Sequence, residues 1–167
     1  MNYHNITKDD MLNGDGLRVV LWVSGCEHHC PECQNPETWD KRSGIPYDAN
    51  AEDEIIAELS KDYVAGITLS GGDPLLTSNF YDIHDLVCWV KEYFPEKTIW
   101  IYSGYTYEEI IEDYHKRLIL EYCDVLVDGE YKKDLRDVNL KWRGSSNQRV
   151  INVQKSLKEG KVVLHCE

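Results

Sequence analysis

The sequence predicts an α/β protein, a partial (β/α) barrel with a parallel sheet and its site at the carboxyl ends of the strands. Three observations predict it. Apolar runs of strand length alternate with segments of helical period from Leu17 to Val127, the order that right-handed crossovers turn into a parallel sheet with helices outside. Each run ends in a glycine or polar cluster: Ser24-Gly25-Cys26, Gly71-Gly72-Asp73, Ser103-Gly104 and Asp128-Gly129. Ligands of such sheets bind at the carboxyl ends of the strands, so these clusters should converge. Finally, three cysteines fall within eight residues directly after the first run.

Residues 1–16 are polar and turn-rich, ending in Asn13-Gly14-Asp15-Gly16. Leu17 to Val23 is apolar but for Arg18 and suits a strand buried on both faces. A buried charge needs a partner, so Arg18 is expected to clamp a loop or touch substrate. Residues 34–50, with Pro36, Gly44 and Pro46, read as a long loop. The first helix starts near Asn50, a suitable N-cap, with Ile55, Ile56, Leu59 and Tyr63 on one face. A short strand, 67–70, follows Gly66. The second helix covers residues 78–94, its face made by Ile83, Leu86, Val87, Val90 and Phe94 before Pro95 stops it. Strand 98–102 follows, then a helix opened by a Thr106/Glu109 capping box with Ile110, Ile111 and Tyr114 on its face, then strand 124–127. In the tail, 148–153 and 161–165 read as two strands joined by a turn at Glu159-Gly160.

The 167 residues suit one domain. A net charge of −12 argues against nucleic acid, whose phosphates demand Lys/Arg clusters. No apolar run reaches membrane-spanning length and no secretory signal opens the chain, so a cytoplasmic protein is expected. In that compartment a tight cysteine trio reads as metal or cluster ligation rather than as disulfides.

Cys26, Cys30 and Cys33 have the spacing C-x3-C-x2-C. Three thiolates can hold three irons of a [4Fe–4S] cube and leave the fourth open to substrate, whereas full ligation takes four. Structural zinc wants four ligands, commonly from paired C-x2-C units or spaced histidines. No second pair exists, and His28 and His29 lie inside the loop. Zinc and buried structural thiols remain the alternatives. Cys88 and Cys123 read as core residues, and Cys166 has no role assigned.

This trio after a first strand, with Gly71-Gly72-Asp73-Pro74 after the second, resembles the radical S-adenosylmethionine superfamily. The stretches 13–22, 25–39, 69–75 and 142–149, with Asn35-Pro36-Glu37-Thr38-Trp39 and Trp142-Arg143-Gly144-Ser145, narrow the likeness to the glycyl-radical-enzyme activases that serve anaerobic ribonucleoside-triphosphate reductase. The resemblance implies a single radical S-adenosylmethionine domain over 1–167, an oxidoreductase with Cys26, Cys30 and Cys33 on the cluster. The open iron would chelate the methionine amino and carboxylate groups. Gly71, Gly72, Asp73 and Pro74 would receive the amino group, and backbone around Glu32, Cys33 and Gln34 would meet the adenine. Ser103, Asp128 and Tyr131 stand where the family places ribose and carboxylate contacts, though a cap or turn role is the plain alternative for the first two. The implied reaction cleaves S-adenosylmethionine reductively, and the 5′-deoxyadenosyl radical takes hydrogen from a glycine of the reductase. The implied partners are the reductase large subunit and a one-electron donor such as flavodoxin, and a homodimer within a heterotetramer is allowed. Trp39, Trp142 and Arg143, in loops, are candidate docking anchors. Three alternatives stay open: an activase of another glycyl radical enzyme such as pyruvate formate-lyase, a small-molecule radical enzyme of the 7-carboxy-7-deazaguanine synthase kind, and a zinc-binding interaction module.

Overall fold

The computed structural model of the chain describes residues 1–165; Cys166 lies outside them. Seven strands form one mixed sheet in the order β3-β1-β2-β4-β5-β6-β7. Its centre is the parallel set β2 (Leu17–Val23), β4 (Val64–Gly71), β5 (Thr98–Tyr102) and β6 (Val125–Asp128). On one side β1 (Asn2–Asp10) pairs antiparallel with β2 and carries β3 (Ile45–Pro46) at the edge; on the other, β7 (Arg149–Asn152) runs antiparallel to β6.

Three connections between the parallel strands are helical: α1 (Ala49–Leu59), α2 (Phe80–Tyr93), and the pair α3 (Tyr107–Glu112) and α4 (Tyr114–Leu120). Period-two alternation along β5 separates two packed layers. Ile99 and Ile101 join the large core with Ile55, Leu59, Ile83, Val90 and Ile110 of the helices. Trp100 faces the other way and packs with Val125, Val127 and Val150, against which Tyr102 and Trp142 lie.

Several elements differ from the sequence reading. The polar start is the nine-residue strand β1, in which Tyr3 and Ile6 are buried. The α1 N-cap is Asp48, whose carboxylate accepts from the Ala51 N–H, not Asn50, and Tyr63 is exposed beyond its end. The third helix breaks at Asp113, which caps α4 by accepting from the Lys116 N–H and leaves Tyr114 exposed. Between the two tail segments stands α5 (Val153–Glu159), closed by Gly160 at φ 69°. The segment 161–165 makes a single bridge, Leu164 to Ile151.

Candidate cluster and cofactor site

The cysteine loop leaves β2 through buried Ser24 and Gly25, the latter at φ 98°. Two hydrogen bonds lay it on the segment that follows: the Gly25 N–H donates to the Thr38 carbonyl (2.6 Å) and the Cys26 N–H to the Trp39 carbonyl (3.0 Å). His29 (φ 49°) and Glu32 (φ 58°) adopt the left-handed region, one between each consecutive pair of cysteines. Those two reversals fold eight residues back on themselves, a conformation that costs energy for residues with side chains. All three thiols are free and half-buried.

Each sulfur already meets main-chain N–H groups. Those of His28 and His29 face Cys26, that of Tyr131 faces Cys30, and the Asn35 N–H donates to Cys33 Sγ at 3.4 Å. Burial pushes the Cys26 thiol up to about 11 against these donors, and burial also raises Cys30. Thiols so placed keep their protons until a metal displaces them. Among the described residues, no three Cys, His, Asp or Glu side chains converge on a point that could hold one ion. The donor set fits the cluster: three half-buried thiols on one reversed loop, with a main-chain N–H donated to Cys33 Sγ.

The glycine loop packs directly on this segment. Gly71 has φ 103°, and a Cβ there would stand 2.5 Å from the Val23 nitrogen. A Cβ on Gly72 would lie 2.5 Å from the Gly25 carbonyl oxygen. Glycine at 72 is thus demanded by loop-on-loop contact as well as by any ligand above it. The Gly72 N–H donates to Val23 (2.8 Å) and the Asp73 N–H to Gly25 (2.7 Å). Pro74 is buried behind them.

The Asp73 carboxylate, 1% exposed, joins the strand ends. It accepts from Ser103 Oγ (3.0 Å), the Gly104 N–H (3.0 Å), the Leu75 N–H (2.9 Å) and His28 Nε2 (2.8 Å). The other ring nitrogen of His28 reaches Glu130 at 2.8 Å, and Tyr105 meets the ring edge-on at 4.4 Å. Burial alone would lower the His28 pKa; Asp73 and Glu130 outweigh it and lift it to about 8. One imidazole therefore ties the cysteine loop to the ends of β4, β5 and β6.

Asp128 is occupied within the scaffold: it takes the Arg149 guanidinium (2.5 Å) and the Tyr107 N–H (2.8 Å), and Arg149 also pairs with Glu108 (2.7 Å). Glu32 and Gln34 are exposed. Beside the cysteine loop a cavity of about 600 Å³ opens at the ends of β5 and β6, lined by His28, Tyr105, Asp128, Glu130, Asn147 and Arg149 among others. The Asn147 amide donates to the Glu130 carbonyl (2.8 Å), while its oxygen, buried, has no partner among the described residues.

The family model described as "4Fe-4S single cluster domain" matches residues 12–151. Relatives named anaerobic ribonucleoside-triphosphate reductase-activating protein match most of the chain. The one from Enterobacteria phage T4 is 48% identical over 90% of this chain and 93% of its own. That of Escherichia coli (strain K12) is 44% identical over 90% and 97%. That of Vibrio cholerae is 44% identical over 89% and 96%. The chain belongs to this family of reductase-activating proteins.

Within this family member, the expected anchors sit differently from their sequence reading. Trp142 is half-buried on Trp100 (4.9 Å between rings), with its carbonyl accepting from Tyr102 Oη, and so closes the second core layer. The Arg143 guanidinium is turned onto the Gln148 carbonyl (2.5 Å). Trp39 is half-buried and stacked on His29. Cys88 is half-buried near His84 rather than in the core, while Cys123 is fully buried. His28, Glu130 and Asn147 were not anticipated as site residues. The only signal for His28 was its place between two cysteines, and the other two come to the site solely through the fold.

Proposed function

We propose that this protein activates an anaerobic ribonucleoside-triphosphate reductase as a radical S-adenosylmethionine oxidoreductase. The observation that carries the reading is the cysteine loop locked by His28 and Asp73 onto the glycine loop at the carboxyl ends of the strands, in a chain whose relatives bear that name. When bound, a reduced [4Fe–4S] cluster supplies one electron to cleave S-adenosylmethionine, and the 5′-deoxyadenosyl radical takes hydrogen from a glycine of the reductase. The protein's own part is positional. Cys26, Cys30 and Cys33 hold the cluster, and carbonyls of the Gly71–Pro74 turn accept from the methionine ammonium. Ser103 holds Asp73 in place, and the cavity beside Asp128 takes the nucleoside end, with main chain at Glu32 to Gln34 nearby.

On this reading residues 1–167 act as a single radical S-adenosylmethionine domain, and the sheet is the wall of a partial (β/α) barrel. The separate packing of Trp100, Val127 and Val150 opposite the helices supports that wall. No described helix is long and apolar enough to cross a membrane. Free thiols suit a reducing, cytoplasmic compartment, where a one-electron donor such as flavodoxin would reduce the cluster.

The test is anaerobic reconstitution followed by incubation with reductant, S-adenosylmethionine and the reductase large subunit. A glycyl radical signal on the reductase and release of 5′-deoxyadenosine are expected, with pyruvate formate-lyase left unactivated. A radical on the control alone would move the activity to another glycyl radical enzyme.

A further inference from the structure

Four buried side-chain polar atoms have no partner among the described residues, and one of them, Trp39 Nε1, belongs to the segment that carries the cysteine loop. An indole nitrogen is a donor only. Leaving it buried and unmet is costly, so such an atom calls for an acceptor that arrives later.

Trp39 cannot easily turn to find one. Its N–H donates to the Pro36 carbonyl (3.2 Å) and its carbonyl accepts from the Cys26 N–H (3.0 Å). Its ring lies flat on His29, with 4.5 Å between centroids and 9° between planes. His29 itself is held at φ 49° between Cys26 and Cys30. The indole is thus fixed at both ends against the loop that presents the thiols. The Asn35 N–H already donates to Cys33 Sγ (3.4 Å), whereas the indole N–H beside the same loop has no acceptor among the described residues.

We propose that the Trp39 indole N–H donates a hydrogen bond to a sulfur of the [4Fe–4S] cluster and thereby raises its reduction potential. The inference rests on the proposed function, which supplies the cluster. Its physics is general: donors to cluster sulfurs favour the reduced, more negative state, and such bonds are among the determinants of potential. Trp39 is then a positioning and tuning residue of the cluster loop, in place of the docking anchor that its loop position suggested.

The experiment compares wild type and Trp39→Phe, both reconstituted anaerobically, by redox titration followed with electron spin resonance. Iron and sulfide content should be equal, and the midpoint potential of the variant should lie at a more negative value. In parallel, wild type labelled with ¹⁵N in its indoles is observed by NMR before and after reconstitution. The resonance absent from Trp39→Phe should be shifted or broadened by the cluster and exchange its proton slowly. If the variant fails to load, the slowed exchange of that proton on reconstitution of the wild type is the deciding readout, since broadening alone reports nearness to the cluster. An unchanged potential with an unperturbed indole resonance overturns the proposal. So does an unchanged potential with weakened reductase binding, which would give the N–H to the partner. Wild type that takes up no iron or sulfide would instead defeat the proposed function, and this inference with it.

Discussion

Arg18 and Asp73 stand at opposite ends of the parallel sheet, 0% and 1% exposed, and are satisfied in different ways. Arg18, near the start of β2, has no carboxylate partner in its hydrogen bonds. Its guanidinium donates to Thr68 Oγ1 (2.9 Å), Thr98 Oγ1 (2.9 Å) and the carbonyls of Asp15 (3.0 Å), Ile67 (2.9 Å) and Thr98 (2.7 Å). Burial pulls its pKa down to about 10, which leaves it charged at neutral pH. Asp73, past the end of β4, instead gathers donors from separate loops: His28, Ser103 and Gly104. Both ends also use glycines for close approach. Gly14 (φ 133°) lets the β1–β2 loop lie on the Arg18 stem, and Gly72 lets the β4 turn lie on Gly25. The difference teaches that a charge bonded to strands holds the scaffold, whereas one bonded to separate loops sets how those loops meet.

The largest expected effect falls at the cysteine end. Replacing Cys26, Cys30 or Cys33 with Ala should abolish iron and sulfide uptake on anaerobic reconstitution, while folding survives because these thiols are only half-buried. Cys88→Ala, on α2, should load normally. Iron and sulfide analysis decides it; a variant at Cys30 that loads fully, beside an empty Cys88 variant, would move the ligand set elsewhere.

Next in size is Arg18→Met. It strands buried oxygens on β4 and β5, and the expected loss is about 3 kcal/mol of stability. Denaturant unfolding of the metal-free protein measures this. At a temperature where the variant is folded, its cluster signal and cofactor affinity should match wild type. A stable variant with altered cofactor affinity would place Arg18 in the site and dissolve the contrast with Asp73.

What was legible in the sequence follows the same division. The parallel strands and α2 showed themselves because burial on one or both faces writes a long apolar pattern, as in Val19, Val20 and Leu21 or Ile83, Val87 and Val90. β1 did not, because Asn, Lys and Asp fill most of it and pairing with β2, rather than propensity, holds it extended. α5 was hidden by length: seven residues give too few turns for a period, though Asn152 as cap and Gly160 as stop were there to be read. At the candidate site, Cys26, Cys30 and Cys33 stand out by spacing and Gly71 to Pro74 by position. The His28 bridge does not, since its partners Asp73 and Glu130 lie 45 and 102 residues from it in number, and only crossovers bring them together.

The smallest expected effect tests the Asp73 end through Gly104, whose N–H donates to the Asp73 carboxylate (3.0 Å) and whose missing side chain leaves room for the His28 ring. A Cβ on Gly104 would stand 2.5 Å from Cδ2 of His28. Gly104→Ala must therefore push the imidazole off Asp73, Glu130 or both. Losing one charge-assisted hydrogen bond at a loop junction is worth about 1.4 kcal/mol, or tenfold. S-adenosylmethionine affinity, titrated through its effect on the spin resonance of the reduced cluster, should fall by about that factor while iron and sulfide content stays at the wild-type level. The assignment to His28 can be separated from a general disturbance of the β5 end with a double-mutant cycle. If Gly104 acts through the ring, adding Gly104→Ala to His28→Ala should cost nothing further, because the obstructed side chain is gone. Additive losses would show that the β5 end meets the cofactor on its own account and that the His28 bridge is incidental to binding.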